Sequence, residues 1–341
     1  MTKLKKNQHL NLNNPFVVLS DFQSNLSMFN LPEHFKKKFK KDFPNINLKF
    51  INDSNISKFT DNIKVYWGTK FKSDYFKNYK NLSWIHFGSV GVEKIDFKLI
   101  KNKKNLFITN SKGINSSSMI ELILFYLIDT SRSLLKKRNS FKNRNEYENN
   151  FILSKDLRSI KVLILGYGEV TKKLIPSLKA LGINFDILSN QKSKLRNINF
   201  YEYKKLSKII NGYDVVINNL PINRLTKNIF DIDVLNSLKK DVSIISCGRY
   251  GIFNLDALFK FLSKNPESFL YIDAPTNKQQ KNTMKLINIS RLKNVYLSPH
   301  IGGYFKGYWP KQYQMFAVNL QKFIKGSKLE NEISFIKEHF L

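Results

Sequence analysis

Three short segments hold the residues best able to do chemistry. Arg249 stands in Cys247-Gly248-Arg249-Tyr250-Gly251, directly after the apolar run 242–246. His300 stands in Ser298-Pro299-His300-Ile301-Gly302-Gly303, directly after the run 295–297. A guanidinium is a planar fork that grips a carboxylate with two parallel N–H bonds and polarises a neighbouring carbonyl. An imidazole delivers or takes a proton near neutral pH. In the third segment the apolar run 162–165 leads into Gly166-Tyr167-Gly168-Glu169-Val170 and a helix-like stretch. A strand, a glycine turn and a helix N-terminus in that order hold a dinucleotide pyrophosphate: free N–H groups and the helix dipole face the anion. Gly166 permits the turn and Gly168 lets the backbone approach the phosphates. The third glycine position of such a fingerprint is Thr171 here, so the motif takes its weight from what surrounds it.

The elements that must carry these residues follow from hydropathy. Short apolar runs alternate with amphipathic segments, the pattern of an α/β protein with parallel sheets. Strands are expected at 16–19, 48–51, 63–67, 84–87 and 106–109, with helices at 32–41 and 70–79 and a long apolar helix at 119–135. Residues 139–157 are polar and Asn-rich and read as a linker or exposed loop. A second series of strands is expected at 162–165, 184–188, 199–203, 215–219, 242–246, 269–273 and 295–297. Helices at 170–181, 204–210, 232–239 and 255–262 alternate with them. That count suits a dinucleotide fold of six or seven strands. The stretch 311–341 is helical by pattern and adds no strand to the second series, so it is expected to return to the first.

Bulk properties narrow the classes. With 341 residues, 42% hydrophobic content and 28 phenylalanines, the chain can bury two ordinary cores and is not disordered throughout. A single cysteine, Cys247, excludes an intrachain disulfide and fits a reducing compartment. No apolar core follows Met1, and the longest apolar stretch is too short to span a bilayer, so the expectation is a cytoplasmic protein with no membrane partner. The net charge of +31 raises nucleic acid as a partner. However, the lysines are scattered, and Lys, Asn, Ile and Phe are all abundant together, a compositional bias that needs no such partner. A basic field would still attract small anions.

Four further segments make the fingerprint specific. They are Trp84 to Asp96, with Gly88-Ser89-Val90-Gly91; 214–229, with Leu220-Pro221 and Thr226; 244–251, with Cys247-Gly248-Arg249; and 298–304, with Pro299-His300. In order and spacing the chain resembles the D-isomer-specific 2-hydroxyacid dehydrogenases from about residue 63 to 326. The resemblance implies a Rossmann domain (116–310) inserted into a flavodoxin-like substrate domain (1–115, completed by 311–341), with the active site in the cleft between. It also implies hydride transfer between NAD or NADP and a small anionic 2-hydroxy or 2-keto acid, and a homodimer built partly on the long helix. Arg249 then matches the substrate-binding arginine and His300 the catalytic histidine. Ser89, Val90 and Gly91 match the loop whose amides hold the substrate carboxylate. The segments 110–113 and 116–118 match the hinge. Gly166, Tyr167, Gly168, Glu169 and Val170, Ser189 and Asn190, Leu220, Pro221 and Thr226, Cys247 and Gly248, and Asp273 match cofactor-binding positions. Cys247 has no base near it in sequence and reads as a packing residue.

Two departures matter. The family pairs its histidine with a glutamate a few residues beyond the position of Asp273; here Lys278 or Gln279 stands near that place, and no glutamate occurs before Glu330. This keeps a second function open, a catalytically impaired dinucleotide-binding sensor or regulator of the same fold. The other departure concerns the strand 184–188. It ends in Ser189-Asn190-Gln191-Lys192 without the acid that binds ribose hydroxyls, Asp186 lying too early. Lys192, Lys194 and Arg196 follow, which favours NADP over NAD.

Overall fold

The computed structural model describes residues 15–23, 29–72, 74–92, 105–137, 155–191, 193, 195–274 and 281–333. The chain divides into two compact units, Met1–Ile114 with Lys306–Phe340, and Asn115–Phe305. In the first, strands β1 (Phe16–Ser20), β2 (Ile46–Phe50), β3 (Ile63–Gly68), β4 (Trp84–Phe87) and β5 (Phe107–Asn110) form one sheet in the order β2-β1-β3-β4-β5. All its pairings are parallel, and this is the flavodoxin-like order. Helices α1 (Glu33–Asp42) and α6 (Tyr308–Ile324) belong to this unit. Phe316 of α6 stacks on Trp67 of β3 at 4.0 Å, and Tyr313, Leu320 and Phe323 pack in the same core. The C-terminal helix therefore completes the first unit.

In the second unit, β6 (Lys161–Leu165), β7 (Asn184–Leu188), β8 (Phe200–Tyr201), β9 (Val215–Asn218), β10 (Ser243–Ser246), β11 (Phe269–Asp273) and β12 (Val295–Ser298) form a parallel sheet. Their order is β12-β11-β10-β9-β6-β7-β8. The chain runs outward from β6 first on one side and then, from β9, on the other, so the β6/β9 junction is the topological switch point. Two cores cover the two faces. One contains α2 (Ser116–Arg132) and α3 (Glu169–Ala180); the other contains α4 (Leu255–Lys264) and α5 (Lys281–Ile289). The strand interiors are near-continuous Val, Ile and Leu because both faces are buried. Among the described residues no helix is long and apolar enough to cross a membrane.

Some elements differ from expectation for local reasons. The helix expected over 70–79 is reduced to Tyr75–Asn78. The buried Asp21 carboxylate captures the amides of Thr69 and Lys70 and fixes a loop there. The strand expected over 199–203 keeps two residues, because Asp186 takes the Asn199 amide and Asn190 takes the Tyr203 amide. The helix expected over 311–341 ends at Ile324; Gly326 turns the chain at φ 62°, and Glu332 then bridges Thr109 in antiparallel fashion. The polar stretch 139–154 lies outside the described residues.

Candidate functional site

The second-unit residues singled out above gather at the carboxyl edge of their sheet. The turn after β6 is the first of them. Gly166 has φ 98°, a region closed to most side chains, and its amide donates to Leu188 O at 2.9 Å. Gly168 is the N-cap of α3, makes no side-chain cap bond, and would have open space around an added Cβ. The helix thus begins at a glycine that leaves an open approach to its N-terminus, which fits a pyrophosphate. Thr171 is fully buried; its hydroxyl donates to Gly166 O at 2.8 Å and accepts from Asn219 Nδ2 at 3.2 Å. The missing third glycine is therefore replaced by a tie that fixes the turn. Glu169 and Val170, half-buried, form the first turn of α3.

At the end of β7, Ser189 is buried and its hydroxyl accepts from the Gln191 amide, while Asn190 is exposed. Asp186 accepts from Tyr213 Oη at 2.7 Å and from Asn199, so its carboxylate is committed within the sheet edge. Tyr167 packs edge-on against Phe200. Arg196 is exposed, whereas Lys192 and Lys194 lie outside the described residues.

Beyond β9 and β10 the backbone is tightly built. Asn218 donates to Ser246 Oγ at 2.9 Å and accepts from the Leu220 amide at 3.0 Å. A Cβ at Gly248 would stand 2.9 Å from Leu220 O, so only glycine lets these two loops pack. Pro221 O accepts from Thr226 Oγ1 at 2.7 Å, and the same hydroxyl accepts from the Asn223 amide, so Thr226 shapes this loop from within. Cys247 is buried, and burial pushes its thiol well up, in keeping with a packing role. Arg249, half-buried, follows at the edge of β10.

Asp273 closes β11 and is 2% exposed. Its Oδ1 accepts from Ser298 Oγ (2.5 Å) and the Ile301 amide (2.9 Å), and its Oδ2 accepts from the Gly302 amide (2.9 Å). This carboxylate therefore grips the loop that carries His300. His300 has φ 57°, a left-handed conformation unusual for a residue with a side chain. Its Nδ1 lies 4.0 Å from Asp273 Oδ2, buried and without a hydrogen-bond partner, while the side chain is 36% exposed. The open part of the ring is thus the part turned away from Asp273. Burial lowers the imidazole pKa, Asp273 opposes that, and the Arg249 guanidinium reinforces it. The segment 275–280, with Lys278 and Gln279, lies outside the described residues.

In the first unit the loop after β4 has its carbonyls taken. Gly88 O accepts from Tyr308 Oη, Ser89 O from the Ser111 amide, Val90 O from Asn110 Nδ2 and Gly91 O from Ser89 Oγ. Among the described residues no acceptor takes the amides of Ser89, Val90 or Gly91. Val90 is exposed and its neighbours are half-buried. Successive backbone amides without partners among the described residues are groups able to bind an anion.

Sequence reasoning missed the supporting residues Asn218, Asn219, Ser298 and Tyr126. They are ordinary polar side chains whose partners lie far away in the chain, Tyr126 bonding Ser298 across 172 positions.

Comparison with known proteins bears on the family and the fold. The family model described as the D-isomer specific 2-hydroxyacid dehydrogenase NAD binding domain matches residues 124–302, just over half of the chain. A D-3-phosphoglycerate dehydrogenase of Methanocaldococcus jannaschii is 21% identical over 278 residues, 80% of this chain and 52% of that protein. The chain thus spans about half the length of that relative. A probable 2-hydroxyacid dehydrogenase of Rhizobium etli, solved with NADP, HEPES and tartaric acid, superposes with a TM-score of 0.76 at 16% identity. That likeness covers 94% of this chain and 98% of the other. A D-lactate dehydrogenase of Aquifex aeolicus, solved with NAD and lactic acid, gives 0.71 at 18% identity over 91% and 96% of the two chains.

Proposed function

This chain belongs to the D-isomer specific 2-hydroxyacid dehydrogenase family, and on that premise we propose that it transfers a hydride between a nicotinamide dinucleotide and a small 2-hydroxy or 2-keto acid. The observation that carries the reading is the convergence of a glycine-turn helix, Arg249 and His300 on one carboxyl sheet edge. Gly166 to Val170 hold the pyrophosphate through backbone amides. The bound nicotinamide supplies the hydride. Arg249 pairs with the acid's carboxylate and polarises the carbonyl, and His300 donates the proton from its open edge to the developing alkoxide. The amides of Ser89, Val90 and Gly91 are, by the family resemblance, a set of donors for an anion in the first unit. In this reading the first unit, Met1–Ile114 with Lys306–Phe340, is the substrate domain and the second, Asn115–Phe305, the cofactor domain, so that α6 stays whole where a division at 310/311 would cut it.

NADP is the favoured cofactor. Among the described residues no acid stands where ribose hydroxyls would be bound: Ser189 and Asn190 follow β7, Asp186 is bonded within the sheet, and Arg196 is exposed. The relatives solved with NADP and with NAD show that fold alone does not decide the choice. The remaining expectations, a cytoplasmic homodimer using α2, join this proposal. Phe125 and Ile128 on that helix are 48% and 43% exposed, as an apolar pairing face requires.

The test is a fluorescence titration with NADPH and NADH followed by a panel of 2-keto acids, read as loss of reduced nicotinamide. Turnover on at least one acid supports the dehydrogenase. Tight cofactor binding without turnover on any of them supports the sensor reading that the missing glutamate keeps open.

A further inference from the structure

A buried hydrogen-bond chain reaches the His300 loop from a helix that supplies none of the assigned reactive groups. Tyr126 of α2 donates to Ser298 Oγ at 3.0 Å, and Ser298 donates to Asp273 Oδ1 at 2.5 Å. Tyr126 is itself held firmly. Its ring stacks on Tyr271 at 5.0 Å, and the Tyr271 hydroxyl donates to the buried Asp129 at 2.6 Å. Asp129, also on α2, accepts the Leu135 amide. Both oxygens of Asp273 are consequently anchored, one by Ser298 and Ile301 and the other by Gly302. Gly302 cannot carry a side chain, since a Cβ there would meet Asp273 Oδ2 and Met119 Sδ at 2.9 Å.

We propose that Tyr126 and Ser298 are positioning residues that hold the Asp273 carboxylate beside His300 but out of hydrogen-bond contact with it. The inference rests on the catalytic reading of His300 given above. A carboxylate at 4.0 Å attracts the imidazole proton without accepting it. A carboxylate free to turn would close onto the unpartnered Nδ1, hold the proton more tightly and make His300 a weaker acid. The chain thereby keeps a carboxylate next to the histidine, where no glutamate follows in sequence, and limits its pull. The charged and titratable groups facing His300 among the described residues are Asp273 of β11, Arg249 beyond β10 and Tyr304 on its own loop; Cys247 faces Asp273.

The test reads His300 directly, by NMR titration of its imidazole in the cofactor-free full chain, with the signal assigned by its loss in His300→Ala. Tyr126→Phe and Ser298→Ala are expected to move the titration upward by about half a pH unit or more, while Asp273→Asn moves it downward. Loosening that exposes the ring would also raise the titration, so urea unfolding is read beside it: an upward shift at a parent-like unfolding midpoint marks positioning, and a shift that only accompanies lost stability in both variants overturns the proposal. An unmoved titration in both Tyr126→Phe and Ser298→Ala, or movement in the same direction as Asp273→Asn, would overturn the proposal. No substrate is involved, so failure here is distinct from failure of the dehydrogenase reading, which the rate of His300→Ala decides.

Discussion

The hydroxyl of Thr171 donates to the carbonyl of Gly166 at 2.8 Å and so fastens the first turn of α3 to the glycine turn it follows. The same oxygen accepts from Asn219 Nδ2. Thr171→Val keeps the shape but leaves two buried polar groups without their partner, so unfolding in urea should show a loss of about 1–3 kcal/mol. Thr171→Gly restores the usual third glycine yet loses the same bonds, and it too should be less stable than the parent. Unchanged stability in both variants would remove the tie from the account.

Asn190 offers a clean test of cofactor choice. It is exposed at the end of β7, and its Oδ1 accepts from the Tyr203 amide at 3.1 Å, a bond that an aspartate can keep. Asn190→Asp places a carboxylate where ribose hydroxyls would be bound and a 2′-phosphate would be repelled. NADPH affinity should fall about tenfold while NADH affinity rises, measured by fluorescence titration. A parent protein that binds NADH more tightly than NADPH would contradict the assignment.

The first unit contains its own pH-sensitive group. His86 is wholly buried on β4, and burial pushes its pKa from 6.5 down to about 3. Thr109 Oγ1 accepts from Trp84 Nε1 at 2.9 Å and turns its own proton to His86 Nδ1 at 2.7 Å. Nε2 therefore carries the ring proton, facing Ser111 Oγ, whose hydroxyl donates to Phe87 O. Since the folded pKa is depressed, the unfolded chain binds a proton that the fold refuses. Stability is full above about pH 6.5 and falls as the pH drops toward 3, by up to about 1.4 kcal/mol per pH unit from this group. All three tryptophans, Trp67, Trp84 and Trp309, lie in this unit, so urea unfolding followed by tryptophan fluorescence reports on it. His86→Gln should show a shallower dependence over that window.

Much of the architecture is legible because parallel strands buried on both faces are written as unbroken Val, Ile and Leu runs. Residues 162–165 (Val-Leu-Ile-Leu) and 215–217 (Val-Val-Ile) need no partner to be recognised, and 269–272 adds aromatics to an equally apolar run. The glycine turn, Arg249 and His300 are legible for a related reason: each follows such a run at once. Elements whose limits are set by a distant side chain are not. Asp21 shortens the helix before Tyr75, and Asp186 and Asn190 shorten β8. Helix α5 was not foreseen because Lys281-Asn282-Thr283-Met284 lacks a clear apolar stripe. The support of His300 by Asp273, Ser298 and Tyr126 joins three separate elements and exists only once they are folded together.

The central claim is that Arg249 and His300 act together on a 2-keto acid, and single-turnover reduction by the preloaded protein tests it most directly. Arg249→Ala and His300→Ala should each slow the step by about a hundredfold or more with cofactor affinity unchanged. Parent-like rates in both variants would contradict it.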